Sequence, residues 1–181
     1  MATDLSDLTA TWKLIVEATA KKATDLTVPS ETLNLTKTLK FIFGTGAGQV
    51  DQVFHDRRTL AGGASEELDL AGALTNAFGA TVTFAKIKGI AIINRSNETL
   101  DGHSPTDADL DIGGAAANAF QGPFVDSSDK LNLAAGAPLL IAKPDADGWT
   151  VTAGTGDLLK IENKDGSEEA VYDIVLVGEA A

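Results

Sequence analysis

The sequence predicts an all-β fold, a jelly-roll-like β-sandwich forming a single domain over residues 1–181, with residues 1–30 as an arm or edge strand. Apolar and polar residues alternate with a period of two in several stretches, as half-buried strands do. About ten such short stretches are separated by turn-rich segments, the spacing of a sandwich, jelly roll or barrel. Between them no amphipathic helical pattern of about 10–15 residues recurs, which disfavours a βαβ architecture.

Near the start, Trp12, Leu14, Val16 and Ala18 alternate with Thr11, Lys13, Ile15 and Glu17, and Ile15 leaves the second face ambiguous. Pro29 forces Val28 into an extended or turn conformation. Residues 23–30 are therefore the candidate boundary between an arm and the main body. Leu33, Leu35, Leu39, Phe41 and Phe43 then share one strand face, opposite Asn34, Thr36, Thr38 and Lys40. Such strands have one face solvated or lightly covered.

A glycine-rich turn at 44–49 precedes a strand at 52–58, with Val53 and His55 on the face opposite Phe54 and Asp56. Residues 71–78 read as a short strand or one helical turn. The strongest strand, 87–93, is mostly apolar and β-branched, as suits a central strand covered on both faces. Later candidates are 130–133, 138–142, 150–152, 158–163 and 171–177. Asp165-Gly166 lies between the last two and predicts a hairpin pairing them. Residues 178–181 should fray unless a partner captures them.

Composition narrows function. There are 26 acidic and 14 basic residues, a formal charge of −12, and no cysteine. The first argues against a nucleic-acid groove or an anionic membrane surface, both of which want clustered Lys and Arg. The second rules out disulfides, thiolate metal sites and cysteine catalysis. No apolar run approaches the roughly 20 residues needed to span a bilayer, and residues 1–11 lack the pattern of a signal peptide. The expectation is a soluble product made in the cytoplasm.

Few groups suggest chemistry. Neither Gly44-Thr45-Gly46-Ala47-Gly48-Gln49 nor Gly154-Thr155-Gly156-Asp157 has the strand-to-helix setting of a phosphate loop, so both read as turns. His55 and Asp56 are sequence neighbours, which in a strand point to opposite faces and do not form an oriented acid–base pair. A hydrolase built on His55 is the weakest reading, and His55 is instead a candidate for polar contacts on an edge or interface strand. Arg57 and Arg58, the paired arginines, are candidates for ion pairs across a subunit interface.

Acidity concentrates in one place. Glu98 and four Asp between 101 and 111 fall in a stretch without Lys or Arg. Asp107, Asp109 and Asp111 alternate and could present three carboxylates to Ca²⁺, although the EF-hand pattern fails because Ile112 stands where Gly is required. Residues 101–111 are either a solvated acidic loop or a calcium site. Trp12 and Trp149 are candidates for core or interface packing, Trp149 alternatively for a sugar platform. Phe78, Phe84, Phe120 and Phe124 read as core residues.

The C-terminal two-thirds resembles a family of small virion structural proteins of tailed bacteriophages. The matching blocks are Gly44-Thr45-Gly46-Ala47-Gly48-Gln49, His55-Asp56-Arg57-Arg58-Thr59-Leu60, Glu67-Leu68-Asp69-Leu70-Ala71-Gly72 and Leu74-Thr75-Asn76-Ala77-Phe78-Gly79. Further on come Ile112-Gly113-Gly114-Ala115-Ala116-Ala117-Asn118-Ala119-Phe120, Val151-Thr152-Ala153-Gly154-Thr155-Gly156-Asp157-Leu158-Leu159 and Tyr172-Asp173-Ile174-Val175-Leu176-Val177-Gly178. Their shared order carries the resemblance. It implies a virion location, no enzymatic activity and no cofactor. It also implies a homo-oligomer, expected as a trimer by analogy, in contact with the major capsid protein or other virion proteins. The role would be capsid decoration (cement); the alternative is a tail or head-fibre module that binds a host glycan or receptor, with calcium as an aid. Against the family pattern, residues 101–111 look like an inserted acidic loop.

Overall fold

The computed structural model describes residues 7–23, 26–72 and 74–181. Residues 1–6 and 24–25 of the expected arm, and Ala73 in the 71–78 segment, lie outside the described residues. The described chain is all β, and none of it is a helix long and apolar enough to cross a membrane.

Two antiparallel sheets form the body. One runs in the order β11 (Pro138–Ala142), β8 (Phe84–Asn94), β14 (Ala170–Ala180), β4 (Gln52–Leu60), and β12 (Trp149–Thr150) pairs further along β8. The other runs β10 (Lys130–Leu133), β9 (Leu110–Gly113), β13 (Leu158–Asn163), β5 (Ser65–Asp69). Strand periodicity turns Phe54, Ile90, Ile92, Ile174 and Leu176 inward from the first sheet, and Leu68, Leu110, Ile112, Leu159 and Ile161 from the second. These merge into one core. Each such side chain, once buried, contributes about 1.5–3 kcal/mol. The sandwich expectation holds, and the apolar 87–93 run lies inside central strand β8.

The first two strands stand apart from this sandwich. Strands β1 (Ala10–Lys21) and β2 (Ser30–Phe43) pair along their whole length, from Ala10 opposite Phe41 to Lys21 opposite Ser30. Cross-strand partners share a face. Trp12, Leu14, Val16 and Ala18 therefore lie with Leu39, Lys37, Leu35 and Leu33, while Ile15 faces the other way beside Thr36. Only the base of this ribbon is covered. Phe41 is fully buried with Val50 and Val177, and Trp12 meets it edge-on at 5.9 Å. The Trp12 ring also lies where a Cβ on Gly89 would sit. Farther out, Leu14, Val16, Leu33 and Leu35 are 40–54% exposed. The expected arm is thus one half of a ribbon whose other half is β2, and at its far end the Lys22 amide donates to the Pro29 carbonyl at 3.2 Å.

After the ribbon the chain turns through the glycine-rich segment into β3 (Gln49–Val50), which pairs parallel to the end of β2. Strands β6 (Leu74–Thr75) and β7 (Thr81–Val82) form a short separate pair.

Three expectations are corrected. The last two long strands do not pair, because β13 bonds to β5 and β9 while β14 bonds to β4 and β8. Asp165-Gly166 instead begins a crossing between sheets. Asp165 Oδ1 accepts from the amides of Ser167 (2.7 Å) and Glu168 (2.6 Å), and Asn163 Nδ2 donates to the carbonyls of Leu60, Ala61 and Glu168. Phe78 is 75% exposed because Asn76 Oδ1 accepts from the Phe78 and Ala80 amides and turns the β6–β7 tip outward. The C-terminus does not fray at Gly178: β14 continues to Ala180, whose amide donates to Asp51 Oδ1 at 2.7 Å.

The Gly89 contact yields a test. In a Trp149→Phe background, where Trp12 is the remaining indole, Gly89→Ala should displace Trp12, cost about 1–3 kcal/mol and shift its emission to the red. Unchanged emission and stability would contradict this docking of the ribbon base.

Candidate functional site

The base of the ribbon is held by a buried charge. Lys88 is fully buried on β8, and its Nζ donates to the carbonyls of Gly46 (2.7 Å), Gln49 (3.0 Å) and Thr45 (3.3 Å). It also forms an ion pair with Glu179, whose other oxygen lies 3.0 Å from Lys86 Nζ. Burial alone would push the Glu179 carboxyl up. Hydrogen bonds from Lys88 and Lys86 together outweigh that and hold it below the usual range. Gln49 completes the turn, its Oε1 accepting from the Gly46 amide at 2.8 Å. The glycine-rich segment is thus a corner, as its reading as a turn implied, and it also receives the Lys88 ammonium. It connects the ribbon to two central strands.

The outer face of the five-stranded sheet is partly open beyond the ribbon base. Arg57 on β4 makes a two-pronged bond to Asp173 on β14, at 2.6 and 2.9 Å, and Arg95 reaches the same carboxylate at 2.9 Å. Arg57 and then Arg95 hold the Asp173 carboxyl below its ordinary value against a smaller opposing effect of burial. Arg58 binds Glu66 and Asp56, both at 2.7 Å, and Tyr172 donates to Glu66. Both arginines thus have acid partners within their own chain. His55 is exposed and, with Asn76 and Arg57, lines an open groove of about 600 Å³.

Between the ribbon and edge strand β11 lies a second, mostly apolar groove of about 270 Å³, lined by Trp12, Leu14, Lys37, Leu39, Leu140, Ala142 and Pro144. Trp12 is half-buried there. Trp149 is half-buried on β12, where it pairs with Ile87 of β8, and packs against the main core.

The acidic segment is stitched down more tightly than its charge suggests. The Thr106 amide donates to Ser96 O at 2.7 Å, Asn94 Nδ2 donates to Ala108 O at 2.9 Å, and Ala108 and Leu110 are fully buried. His103 is buried between Ser96 O and a Glu169 carboxylate oxygen. The alternating aspartates part ways. Asp107 is exposed. Asp109 Oδ1 accepts from the Ala135 amide, and Asp111 accepts from Asn132 Nδ2 and lies 3.5 Å from Lys164 Nζ and 3.8 Å from Lys130 Nζ. Among the described residues, the carboxylates whose oxygens converge within 4.8 Å are Asp107, Asp165 and Glu168. Asp107 thus meets acids from the β13–β14 crossing, while Asp109 and Asp111 face local donors.

Sequence reasoning missed Lys88, Glu179, Asn94 and Asn163 as organising groups. One signal was visible for Lys88: a lysine inside an apolar strand needs buried acceptors, and glycine-rich turns offer free carbonyls.

No protein-family model matches this chain, and no curated protein matches its sequence. A chain of the cyanophage Pam1 capsid asymmetric unit is similar to it, at 17% identity and a TM-score of 0.33, over 75% of this chain and 86% of that one.

The lysines beside the acidic segment set a pH test. Glu162 Oε2 lies 2.8 Å from Lys130 Nζ and 3.1 Å from Lys160 Nζ. Hydrogen bonds from Lys130 and then Lys160 lower its carboxyl from 4.5 to about 2. A carboxyl depressed in the folded state stabilises the fold above its unfolded pKa, and that contribution is lost as pH falls. Glu162→Gln should therefore lower the urea midpoint at pH 7, with the difference from the parent closing between pH 4.5 and about 2. A difference that is the same at both ends of that window would contradict the assignment.

Proposed function

We propose that this chain is a structural protein of a tailed-bacteriophage virion, a capsid decoration or cement protein that acts through contact and catalyses no reaction. The observation that carries the reading is the ribbon. It presents four large apolar side chains, each 40–54% exposed, from a body whose own core is closed. A patch of this kind marks an interaction surface.

The sequence resemblance supports the same reading. Its Gly44–Gln49 block is the turn that grips Lys88. Its 55–60 and 172–178 blocks are strands β4 and β14 of the sheet on which the ribbon is seated. A decoration protein stabilises a shell by adding buried contact between neighbouring capsid subunits, and repetition around the shell multiplies that gain through avidity. The implied partners are other copies of this chain and the major capsid protein.

Adding the purified protein to undecorated phage heads and imaging them by cryo-electron microscopy tests the proposal. Ordered density on the outer capsid, with a raised temperature of genome release, is the expected result. Density confined to the neck, tail or fibre would transfer the chain to the binding-module reading. No saturable binding to any part of the particle would overturn the virion role.

A further inference from the structure

We infer that the apolar face of the ribbon is covered by the same face of a second copy of this chain, packed antiparallel about a two-fold axis at the level of the paired residues Glu17 and Asn34. The inference departs from the trimer expected by analogy and does not rest on the virion reading, because it concerns the free protein in solution.

In that arrangement the two charged positions of β2 meet their opposites, which no parallel arrangement gives. Along β2 it presents Glu31, Leu33, Leu35 and Lys37. Rotation about the stated level sets Glu31 over Lys37 of the second copy and Leu33 over its Leu35, and the reverse. Along β1 the same rotation sets Leu14 over Ala20 and Val16 over Ala18, large side chains over small ones. Glu31 and Lys37 are six residues apart on one extended strand, roughly 20 Å, and cannot pair within a chain. A parallel three-fold bundle would instead bring Lys37 level with Lys37 and Glu31 level with Glu31. It would also leave alanine facing alanine near the tip.

The ends of the ribbon fit as well. Leu26 and Val28 at the tip are 94% and 62% exposed. Antiparallel packing carries each tip to the level of the partner's ribbon base, where the 270 Å³ apolar groove opens between the ribbon and Leu140 on β11. The ribbon face beyond its covered base offers roughly 250 Å² per copy from its length and two-strand width. The seated tips add to it, so the contact falls at the small, weak end of specific interfaces. Two ribbons stacked in this way make a small aligned sandwich with a dry centre and ionic flanks.

Sedimentation equilibrium on the full chain tests this, using charge reversals at exposed positions. The wild type should sediment at twice the chain mass at about 100 μM. Glu31→Lys and Lys37→Glu should each weaken self-association at least about tenfold. An equimolar mixture of the two variants should restore the dimer, because each position 31 then meets its opposite charge at position 37. Unchanged thermal melts would show that both variants are folded. A wild-type monomer, a wild-type trimer, a dimer indifferent to both reversals, or no rescue on mixing would each overturn the inference.

Discussion

Lys88 fixes how the two parts of this molecule meet. An ammonium with no exposure to water is costly unless it is fully paired, and removing its partners from a buried site is more costly still. Its acceptors come from two places: three carbonyls of the turn that follows the ribbon, and Glu179 near the end of β14. Because Lys88 itself belongs to β8, one cation holds the exit of the ribbon against the two central strands of the sheet. The apolar contacts around Trp12 and Phe41 then close over Gly89 and Val177, whose small size or outward position leaves room for them.

The consequence is a molecule with a firm body and a presented surface. The sandwich core takes no buried side chain from the ribbon, since its buried residues lie between Phe54 and Leu176. The ribbon, by contrast, is anchored only at its base. A two-stranded ribbon exposed on both faces is marginal in water on its own. An apolar face held out at a set angle makes sense as half of an interface, and the charge pattern along β2 suits a copy of itself. Small residues in the ribbon, notably Ala18 and Ala20, serve as sockets for larger ones.

Much of this could be read from the residues, and what could not has physical reasons. Alternation revealed both ribbon strands, with Ile15 correctly standing out as the apolar residue on the polar face. The apolar run around Ile90 and Ile92 marked the strand that lies at the centre of a sheet. Pairing partners were less legible. Asp165-Gly166 encodes a tight change of direction, but turn chemistry does not say whether the chain returns to the same sheet or crosses to the other. The difference is made by Asn163, whose amide grips carbonyls from a distant loop. The acidic segment was legible as charge and not as structure, since Ala108 carries no signal of its burial. Asp107, Asp109 and Asp111 alternate in sequence, yet backbone amides and lysines draw Asp109 and Asp111 into local contacts while Asp107 turns toward Asp165 and Glu168.

The Lys88 contact couples the ribbon to the sheet, and amide hydrogen exchange on Lys88→Met reads that coupling residue by residue. The effect should be selective. Protection should fall at the ribbon base and the glycine-rich turn, including the Ile42, Gly44 and Gln49 amides, while the ladder between Ile90–Ile92 of β8 and its neighbours stays protected. Uniform loss of protection throughout the body, or no change at the ribbon base, would contradict it.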